Sequence, residues 1–325
     1  MHGEIVDLIK SSQDFVITSH VNPDGDSIGS EIAFYKYLRN SGKNAKIINY
    51  SDTPPNYTFL DKDSIIELFD EKAHADSINN ADVIFILDTN EYSRIRTMEP
   101  FVRQSKAKKV CIDHHAGING NGFDYYISDT DSPATGEILF EFFEKQGKIN
   151  IDKEMAIALY TAIMTDTGSF RFPRTTAKTH RIIAELIEHG ADPFDIFSEV
   201  YNRSTEGRLK LLARFLNNMS FAYGGRLAFS YLRQSDFEET STGELDTDGF
   251  SANLMSVDKV IASIVILETK RGVKLSFRSV GSIKANGMAG EFGGGGHTNA
   301  AGAFVPGGDF DVLIDEAVKN AEKFL

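Results

Sequence analysis

The chain has 325 residues, which is more than one small core usually accommodates, so we expect two domains. Its content of 41% hydrophobic and 25% charged residues is typical of globular proteins and excludes a largely disordered or fibrous chain. The 34 basic and 47 acidic residues give a net charge of −13, which argues against nonspecific binding of long nucleic acid.

Short apolar runs and helical patterns alternate along the first part of the chain. The runs at 15–18, 83–87 and 110–112 have no polar alternation, so they predict strands buried on both faces, as in a parallel sheet. Helical patterns cover 27–40, 133–146, 152–165 and 177–189. This order predicts a doubly wound α/β domain with a mainly parallel sheet over residues 1–190. Ligands of such domains bind outside the carboxyl ends of the strands.

The pattern changes after residue 190. Residues 192–218 read as amphipathic helices without a strand partner, and we interpret 191–220 as a helical connector. A smaller α+β domain over 221–325 is predicted by strand-like runs at 226–232, 260–267 and 273–278, a glycine run and a helix at 310–324. The acidic, Ser/Thr-rich stretch 236–249 is interpreted as an exposed loop.

Cysteine content and hydropathy indicate the compartment. The single Cys111, which we interpret as a buried strand residue, excludes intramolecular disulfides and thiolate-rich metal sites and fits a reducing environment. Acidic residues interrupt the N-terminus, and no apolar run approaches the roughly 20 residues that a spanning helix needs. We therefore expect a cytoplasmic protein without membrane association.

Acidic and imidazole side chains follow the first predicted strand. His20, Asp24 and Asp26 lie between this strand and the next helix, where Pro23 and Gly25 favour a tight turn. Oxygen and imidazole ligands suit Mn²⁺ or Mg²⁺, and the lack of thiolates argues against a structural zinc site. Taken alone, the loop fits equally well an Asx-rich turn that caps the helix.

Two further strand ends carry the same kinds of side chain. The second predicted strand ends at Asp88, and the third ends at Asp113, His114 and His115. Because the carboxyl ends of parallel strands meet at one sheet edge, we expect these residues to converge with the first loop and with Asp166. Clustered aspartates repel one another unless cations neutralise them. The pattern therefore predicts a two-metal site of the kind that hydrolyses phosphate esters and anhydrides.

A second set of candidate residues lies near the C-terminus. The run Gly293–Gly296 precedes His297, and its backbone N–H groups could approach an anion closely. The preceding Arg278, at the end of a predicted strand, carries a guanidinium suited to bidentate phosphate binding. Taken alone, the glycine run fits a flexible loop, and Arg278 fits a surface charge.

Together these motifs resemble the DHH phosphoesterase superfamily, in particular its two-domain branch with a DHH-associated C-terminal domain, the oligoribonuclease/pAp phosphatase type. The resemblance covers nearly the whole chain, with the motifs in order. It implies two Mn²⁺ ions, for which Mg²⁺ or Co²⁺ could substitute. One ion would be held by His20, Asp24 and Asp88, and the other by Asp26, Asp88, His114 and Asp166.

The resemblance also implies roles at the substrate. His115 would lie beside the scissile phosphate as a catalytic residue, and Asp113 would orient its neighbouring histidines. The substrate-binding residues would be Arg278, Ser279, Gly294, Gly295, Gly296 and His297. The residues before Arg94 depart from the family pattern, so we assign no substrate role to Arg94. The stretch 236–249 matches no family element that we can assign.

The expected substrates are short RNA oligonucleotides (nanoRNA and pApA) and 3′-phosphoadenosine 5′-phosphate (pAp), hydrolysed by a two-metal mechanism. Relatives of this type often form dimers, so the resemblance allows a homodimer. Two alternatives remain open: a pyrophosphatase or short-chain exopolyphosphatase, and a noncatalytic nucleotide sensor. A processive exonuclease of the RecJ type is disfavoured because the chain has no basic, aromatic-rich segment to track a long strand.

Overall fold

A computed structural model describes residues 2–117, 122–146 and 151–325. The chain divides into two units, residues 1–203 and 204–325, so the boundary falls inside the segment predicted as a connector. The first helix of that segment packs Ile196 and Val200 into the core of the first unit, and the second packs Leu211 and Phe215 into the second unit. None of the helices described combines the length and apolar character that crossing a membrane requires.

The first unit is a three-layer α/β structure. Its helices are α1 (His2–Ser11), α2 (Gly25–Asn40), α3 (Glu71–Asn80), α4 (Glu99–Gln104), α5 (Thr135–Lys145), α6 (Lys153–Asp166), α7 (Ala177–Glu188) and α8 (Pro193–Tyr201). Its strands are β1 (Asp14–Thr18), β2 (Asn44–Asn49), β3 (Ile66–Leu68), β4 (Val83–Leu87), β5 (Lys108–Asp113) and β6 (Tyr125–Ser128). All pair in parallel in the order β3-β2-β1-β4-β5-β6, which confirms the predicted doubly wound sheet.

The central strand shows why its sequence has no polar alternation. Every residue of β4 is buried. Phe85 contributes to the core on one face of the sheet, whereas Ile84 and Ile86 contribute to the core on the other face. On the first face α2 lies against α6 so closely that a Cβ at Gly29 would come within 2.3 Å of the Ala158 carbonyl oxygen. A Cβ at Gly25, the first residue of α2, would likewise come within 2.4 Å of Thr165 Oγ1, so the start of α2 lies beside the end of α6.

The strand order reverses next to β1, which lies between β2 and β4. In open α/β sheets the crevice at such a reversal, outside the carboxyl ends of the strands, is where ligands bind. The chain leaves β1 toward His20, β4 toward Asp88 and β5 toward His114. Three neighbouring strands thus deliver polar side chains to one edge of the sheet.

The second unit contains a mixed sheet. Its helices are α9 (Glu206–Asn217), α10 (Gln234–Thr240), α11 (Phe250–Met255), α12 (Ala285–Gly290) and α13 (Phe310–Ala321). Its strands are β7 (Ser220–Ala222), β8 (Leu227–Leu232), β9 (Ala262–Thr269), β10 (Gly272–Ser279), β11 (Gly295–His297) and β12 (Ala300–Pro306), in the order β11-β12-β10-β9-β8-β7. Within this second sheet, as far as its strands are described, β8 and β9 pair in parallel and the other pairs are antiparallel. The predicted α+β character is confirmed.

The interpretation of 236–249 as an exposed loop is wrong for much of its length. Residues up to Thr240 lie in α10, and Glu244–Thr247 form a 3₁₀ turn. The helix forms because Phe237, 6% exposed, packs into the core of the second unit, and because the Asp236 carboxylate accepts a hydrogen bond from the Arg233 N–H at 2.8 Å. The prediction failed because it weighed the acidic composition of the stretch and not the single aromatic residue that packs into the core.

Candidate metal centre

The predicted ligands of the first unit converge at the carboxyl edge of the sheet. Among the residues that the structure describes, three groups of side chains bring ligand atoms within 4.8 Å of one another: His20, Asp24 and Asp88; Asp26, His114 and Asp166; and Asp88, His114 and His115. Asp88 belongs to two of these groups. The three strand ends and the end of α6 therefore meet at one continuous cluster.

Asp88 lies between two imidazoles. Its Oδ2 is 3.3 Å from His20 Nε2, and its Oδ1 is 3.5 Å from His114 Nε2. Ser27 Oγ donates a hydrogen bond to Oδ2 at 2.7 Å, and Thr135 Oγ1 donates one to Oδ1 at 3.1 Å. The residue is 1% exposed and has a φ of 58°, a conformation that non-glycine residues adopt at a cost. The geometry suits a carboxylate that shares its two oxygens between two cations.

Backbone carbonyls fix the two imidazoles beside Asp88. His20 Nδ1 lies 2.9 Å from the Val21 carbonyl, and His114 Nδ1 lies 3.3 Å from the Ser132 carbonyl. A carbonyl can only accept, so each Nδ1 carries a proton. Nε2 is then the nitrogen that can exchange a proton for a metal ion, as in metal-bound histidines whose other nitrogen donates to a backbone carbonyl.

Asp26 is held by the start of a helix. The N–H groups of Thr135 and Gly136, in the first turn of α5, donate to Oδ2 at 2.6 Å and to Oδ1 at 2.9 Å. Burial nevertheless raises the pKa of Asp26 well above its usual range, with the charges of Asp88 and Asp166 adding to the effect. A cation at this position would remove the electrostatic cost of the buried charge.

The carboxyl groups of the cluster have divergent acidities. Burial opposes ionisation of Asp88, but the hydrogen bond and charge of His20 outweigh it and lower the pKa of this carboxyl to about 2. Burial and the Asp88 charge raise the pKa of Asp166 to about 7. Oxygen and imidazole donors without thiolates are the set that Mn²⁺ and Mg²⁺ take, so the residues present fit a pair of divalent cations.

His115 differs from the other two histidines of the cluster in its exposure and its partner. Its Nδ1 donates to Asp113 Oδ1 at 2.7 Å, and the hydrogen bond to this carboxylate raises the pKa of His115. Asn90 Nδ2 donates to the other Asp113 oxygen at 2.7 Å. Because Asp113 is fully buried while the His115 side chain is 38% exposed, the pair presents an oriented imidazole to solvent.

The substrate residues predicted near the C-terminus lie in the second unit. Arg278 of β10 and His297 of β11 are both in register with Ala300 of β12, so all three side chains project from the same face of the sheet. The Ser279 hydroxyl is used internally, since it donates to the Ile283 carbonyl at 2.7 Å and accepts from Asn299 Nδ2 at 3.0 Å.

The sequence reasoning missed several residues that support the cluster. Ser27 and Asn90 closely follow the predicted ligands Asp26 and Asp88 in the sequence. This position in the motifs is the sequence feature from which their supporting role could have been predicted. Thr135 and Gly136 begin a predicted helix, but nothing in the sequence indicates that their N–H groups hold Asp26. Arg174, whose Nη1 donates to the Ser132 carbonyl at 3.4 Å, also has no local signal.

Comparison with known proteins finds matches over both units. Residues 14–163 match the N-terminal domain of the DHH family, and residues 228–325 match the DHHA1 domain. A curated relative, the bifunctional oligoribonuclease and PAP phosphatase NrnA of Thermus thermophilus, is 31% identical over 314 residues, which cover 95% of this chain and 89% of that protein.

Solved structures agree with this similarity. An exopolyphosphatase-related protein from Bacteroides fragilis superposes with a TM-score of 0.95 at 31% identity, covering 99% of this chain and 96% of that chain. RecJ of Thermus thermophilus, solved in complex with Mn²⁺, has a TM-score of 0.57 at 10% identity and covers 100% of this chain and 54% of that chain. At this identity, the RecJ likeness concerns the fold alone.

Proposed function

The chain belongs to the DHH family, and on that premise we propose that it is a metal-dependent phosphoesterase that hydrolyses short oligoribonucleotides and pAp. The observation that carries the proposal is the cluster in which Asp88 joins two groups of metal-ligand atoms. The names of the relatives supply the substrate class. The donor chemistry of the cluster supplies the reaction class, since paired divalent cations serve phosphoryl transfer.

The cluster would hold two cations, for which we propose Mn²⁺, with Mg²⁺ or Co²⁺ as substitutes. His20, Asp24 and Asp88 would bind one, and Asp26, Asp88, His114 and Asp166 the other. When bound, such a pair supplies Lewis acidity at phosphorus-bound oxygens and an acidified water as nucleophile. The backbone carbonyls behind His20 and His114 orient these imidazoles before any ion arrives, which reduces the cost of assembling the site.

His115 is the residue that we propose acts on the substrate directly. The Asp113 carboxylate holds the Nδ1 proton, which leaves Nε2 for a phosphoryl or leaving-group oxygen. The raised pKa of His115, caused by that hydrogen bond, favours the protonated imidazole and thus proton donation to the departing oxygen. We propose that Asp113, itself bound by Asn90, is a positioning residue.

We propose that the second unit recognises the remaining phosphate groups. Arg278 and His297 are separated by one strand, a spacing of roughly 10 Å between their backbones, so they suit two neighbouring phosphates more than one. Backbone groups of the exposed Gly295 and Gly296 on the edge strand β11 would add polar contacts beside His297. The N–H of the half-buried Gly294 already donates to the Ala289 carbonyl at 2.9 Å, so Gly294 would act by shaping the loop. Ser279 would act by holding the loop after β10 in place.

The function is tested by comparing substrates in one metal-dependent assay. Purified protein with Mn²⁺ is given pApA, pAp, pyrophosphate and 5′-phosphorylated RNAs of increasing length, and all products are separated. We expect release of mononucleotides from pApA and short RNAs, release of phosphate from pAp, and declining turnover with length. Asp88→Asn should abolish all of these, whereas Asp124→Asn, a surface control in an ion pair with Lys108, should not.

Two outcomes would contradict the proposal. Exclusive release of phosphate from pyrophosphate would identify a pyrophosphatase, the alternative that the same donor set also fits. Saturable nucleotide binding without any turnover in excess Mn²⁺ would identify a nucleotide sensor.

A further inference from the structure

An exposed aromatic ring lies on the turn that follows the metal-ligand candidate Asp166. Phe172 is 54% exposed, although a large apolar side chain near a polar site normally gains from burial. Its ring lies directly against Gly168: a Cβ at that position would come within 2.5 Å of two ring atoms. The glycine, two residues from Asp166, therefore gives the ring its place.

The backbone of this turn is fixed in an unusual conformation. Gly168, Ser169 and Phe170 have φ values of 55°, 57° and 66°, a left-handed conformation that the two non-glycine residues adopt only at a cost. Thr167 holds the turn closed, because its carbonyl accepts from the N–H groups of Arg171 at 2.9 Å and Phe172 at 3.0 Å. Phe172 is thus presented by a constrained segment.

A guanidinium on the same segment lies next to the metal-ligand cluster. Arg174 Nη1 donates to the carbonyls of Thr130 at 3.1 Å and Ser132 at 3.4 Å. The Ser132 carbonyl is the one that orients His114, and the Arg174 charge is close enough to act on both His114 and Asp166. Among the residues described, no carboxylate lies within 4.0 Å of this guanidinium, so its charge is left for an anion.

We propose that Phe172 and Arg174 form a nucleotide subsite in the first unit, in which a nucleobase stacks on the Phe172 ring and the adjacent phosphate pairs with Arg174. The subsite rests on the proposed function and would explain selectivity for nucleotides over inorganic phosphoanhydrides. A nucleoside phosphate carries a base for the ring and a phosphate for the guanidinium, whereas pyrophosphate or polyphosphate carries nothing for the ring. Stacking of a base on an aromatic side chain is tolerant of base identity, so all four nucleobases should bind.

Binding at this ring can be measured without turnover. The chain contains no tryptophan, so Phe172→Trp creates a single fluorescent reporter at the subsite. With Mn²⁺ present, AMP should quench this emission saturably, whereas ribose 5-phosphate should not. The matched control is Phe194→Trp on α8, where the native ring is 77% exposed. Its emission should not respond to AMP.

Turnover gives the second measurement. We expect Phe172→Ala to lower kcat/KM for pApA by about 5- to 150-fold, the loss of one stacked base, and Phe172→Tyr to retain the wild-type value. Phe194→Ala should have no effect. Arg174→Gln should weaken binding of AMP, measured by calorimetry, and leave binding of adenosine unchanged.

The two proposals fail differently in these experiments. If the wild-type protein hydrolyses pApA, but Phe172→Ala keeps its kcat/KM and AMP leaves the Phe172→Trp emission unchanged, the subsite is refuted and the proposed function stands. If the wild-type protein hydrolyses no nucleotide yet AMP quenches Phe172→Trp, the subsite stands and the hydrolytic function is refuted.

Discussion

A buried acid behind the metal-ligand cluster gives a quantitative prediction. Glu31 of α2 is fully buried, and its Oε2 accepts a hydrogen bond from Asn49 Nδ2 at 2.8 Å. Asn49 Oδ1 in turn accepts from the Ser19 N–H at 3.2 Å, so this network holds the chain just before His20. Burial raises the pKa of Glu31 to about 8, against the opposing hydrogen bond from Asn49.

Because the pKa of Glu31 is raised in the folded chain, the free energy of unfolding should fall as the pH rises. Below the ordinary pKa of 4.5 Glu31 is protonated in both the folded and the unfolded chain, so it contributes nothing. As the pH rises from 4.5 toward 8, only the unfolded chain ionises, which favours unfolding progressively. Glu31→Gln removes this titration and keeps a neutral hydrogen-bonding group. Relative to wild type, the variant should gain about 1 kcal/mol at pH 5 and about 3 kcal/mol at pH 7.

Urea denaturation followed by circular dichroism, with EDTA present and at several pH values, measures this difference. Glu144→Gln, the same substitution at an exposed helical position on α5, is the matched control. A Glu31→Gln difference that is constant from pH 5 to 8 would refute the assignment of a buried, neutral Glu31.

Three changes at the site should have measurable effects on activity or stability. Asp88→Asn should lower kcat/KM for pApA by about 10³-fold or more while thermal unfolding shows an intact fold, because the shared carboxylate contributes several kcal/mol through the cations it holds. EDTA should abolish activity, and added Mn²⁺ should restore it. In calorimetry, Mn²⁺ at a concentration of 100 times its Kd should stabilise the folded protein by about 2.7 kcal/mol per site. A melting temperature that Mn²⁺ leaves unchanged would contradict metal binding at the cluster. Gly168→Ala should cost about 1–2 kcal/mol of stability and displace the Phe172 ring, which raises KM for pApA in steady-state assays.

The fold was readable from sequence where local signals were strong. The uninterrupted apolar runs of β1, β4 and β5 predicted a parallel sheet because strands buried on both faces carry no polar alternation. The edge strands β3 and β11 are only three residues each and lack such runs, so their pairing depends on neighbours rather than on their own sequence. The helix α10 likewise depends on a tertiary contact, because Phe237 packs into the core although the sequence around it is acidic.

The cluster was also foreseeable in outline, because parallel strand ends must meet. Its supporting contacts were not. The N–H group of Thr135 reaches Asp26 across 109 positions of sequence, and the Ser132 carbonyl reaches His114 across 18. The conformation that places Phe172 depends on three successive left-handed residues, which the sequence signals only at Gly168.

Anomalous diffraction at the manganese edge, from crystals grown with Mn²⁺, will show whether Asp88 joins two divalent cations. We predict two peaks per chain that share the Asp88 carboxylate, one bound by His20 Nε2 and Asp24 and the other by His114 Nε2, Asp26 and Asp166. A single peak at saturating Mn²⁺, or two peaks of which neither contacts Asp88, would show that Asp88 is not a shared ligand.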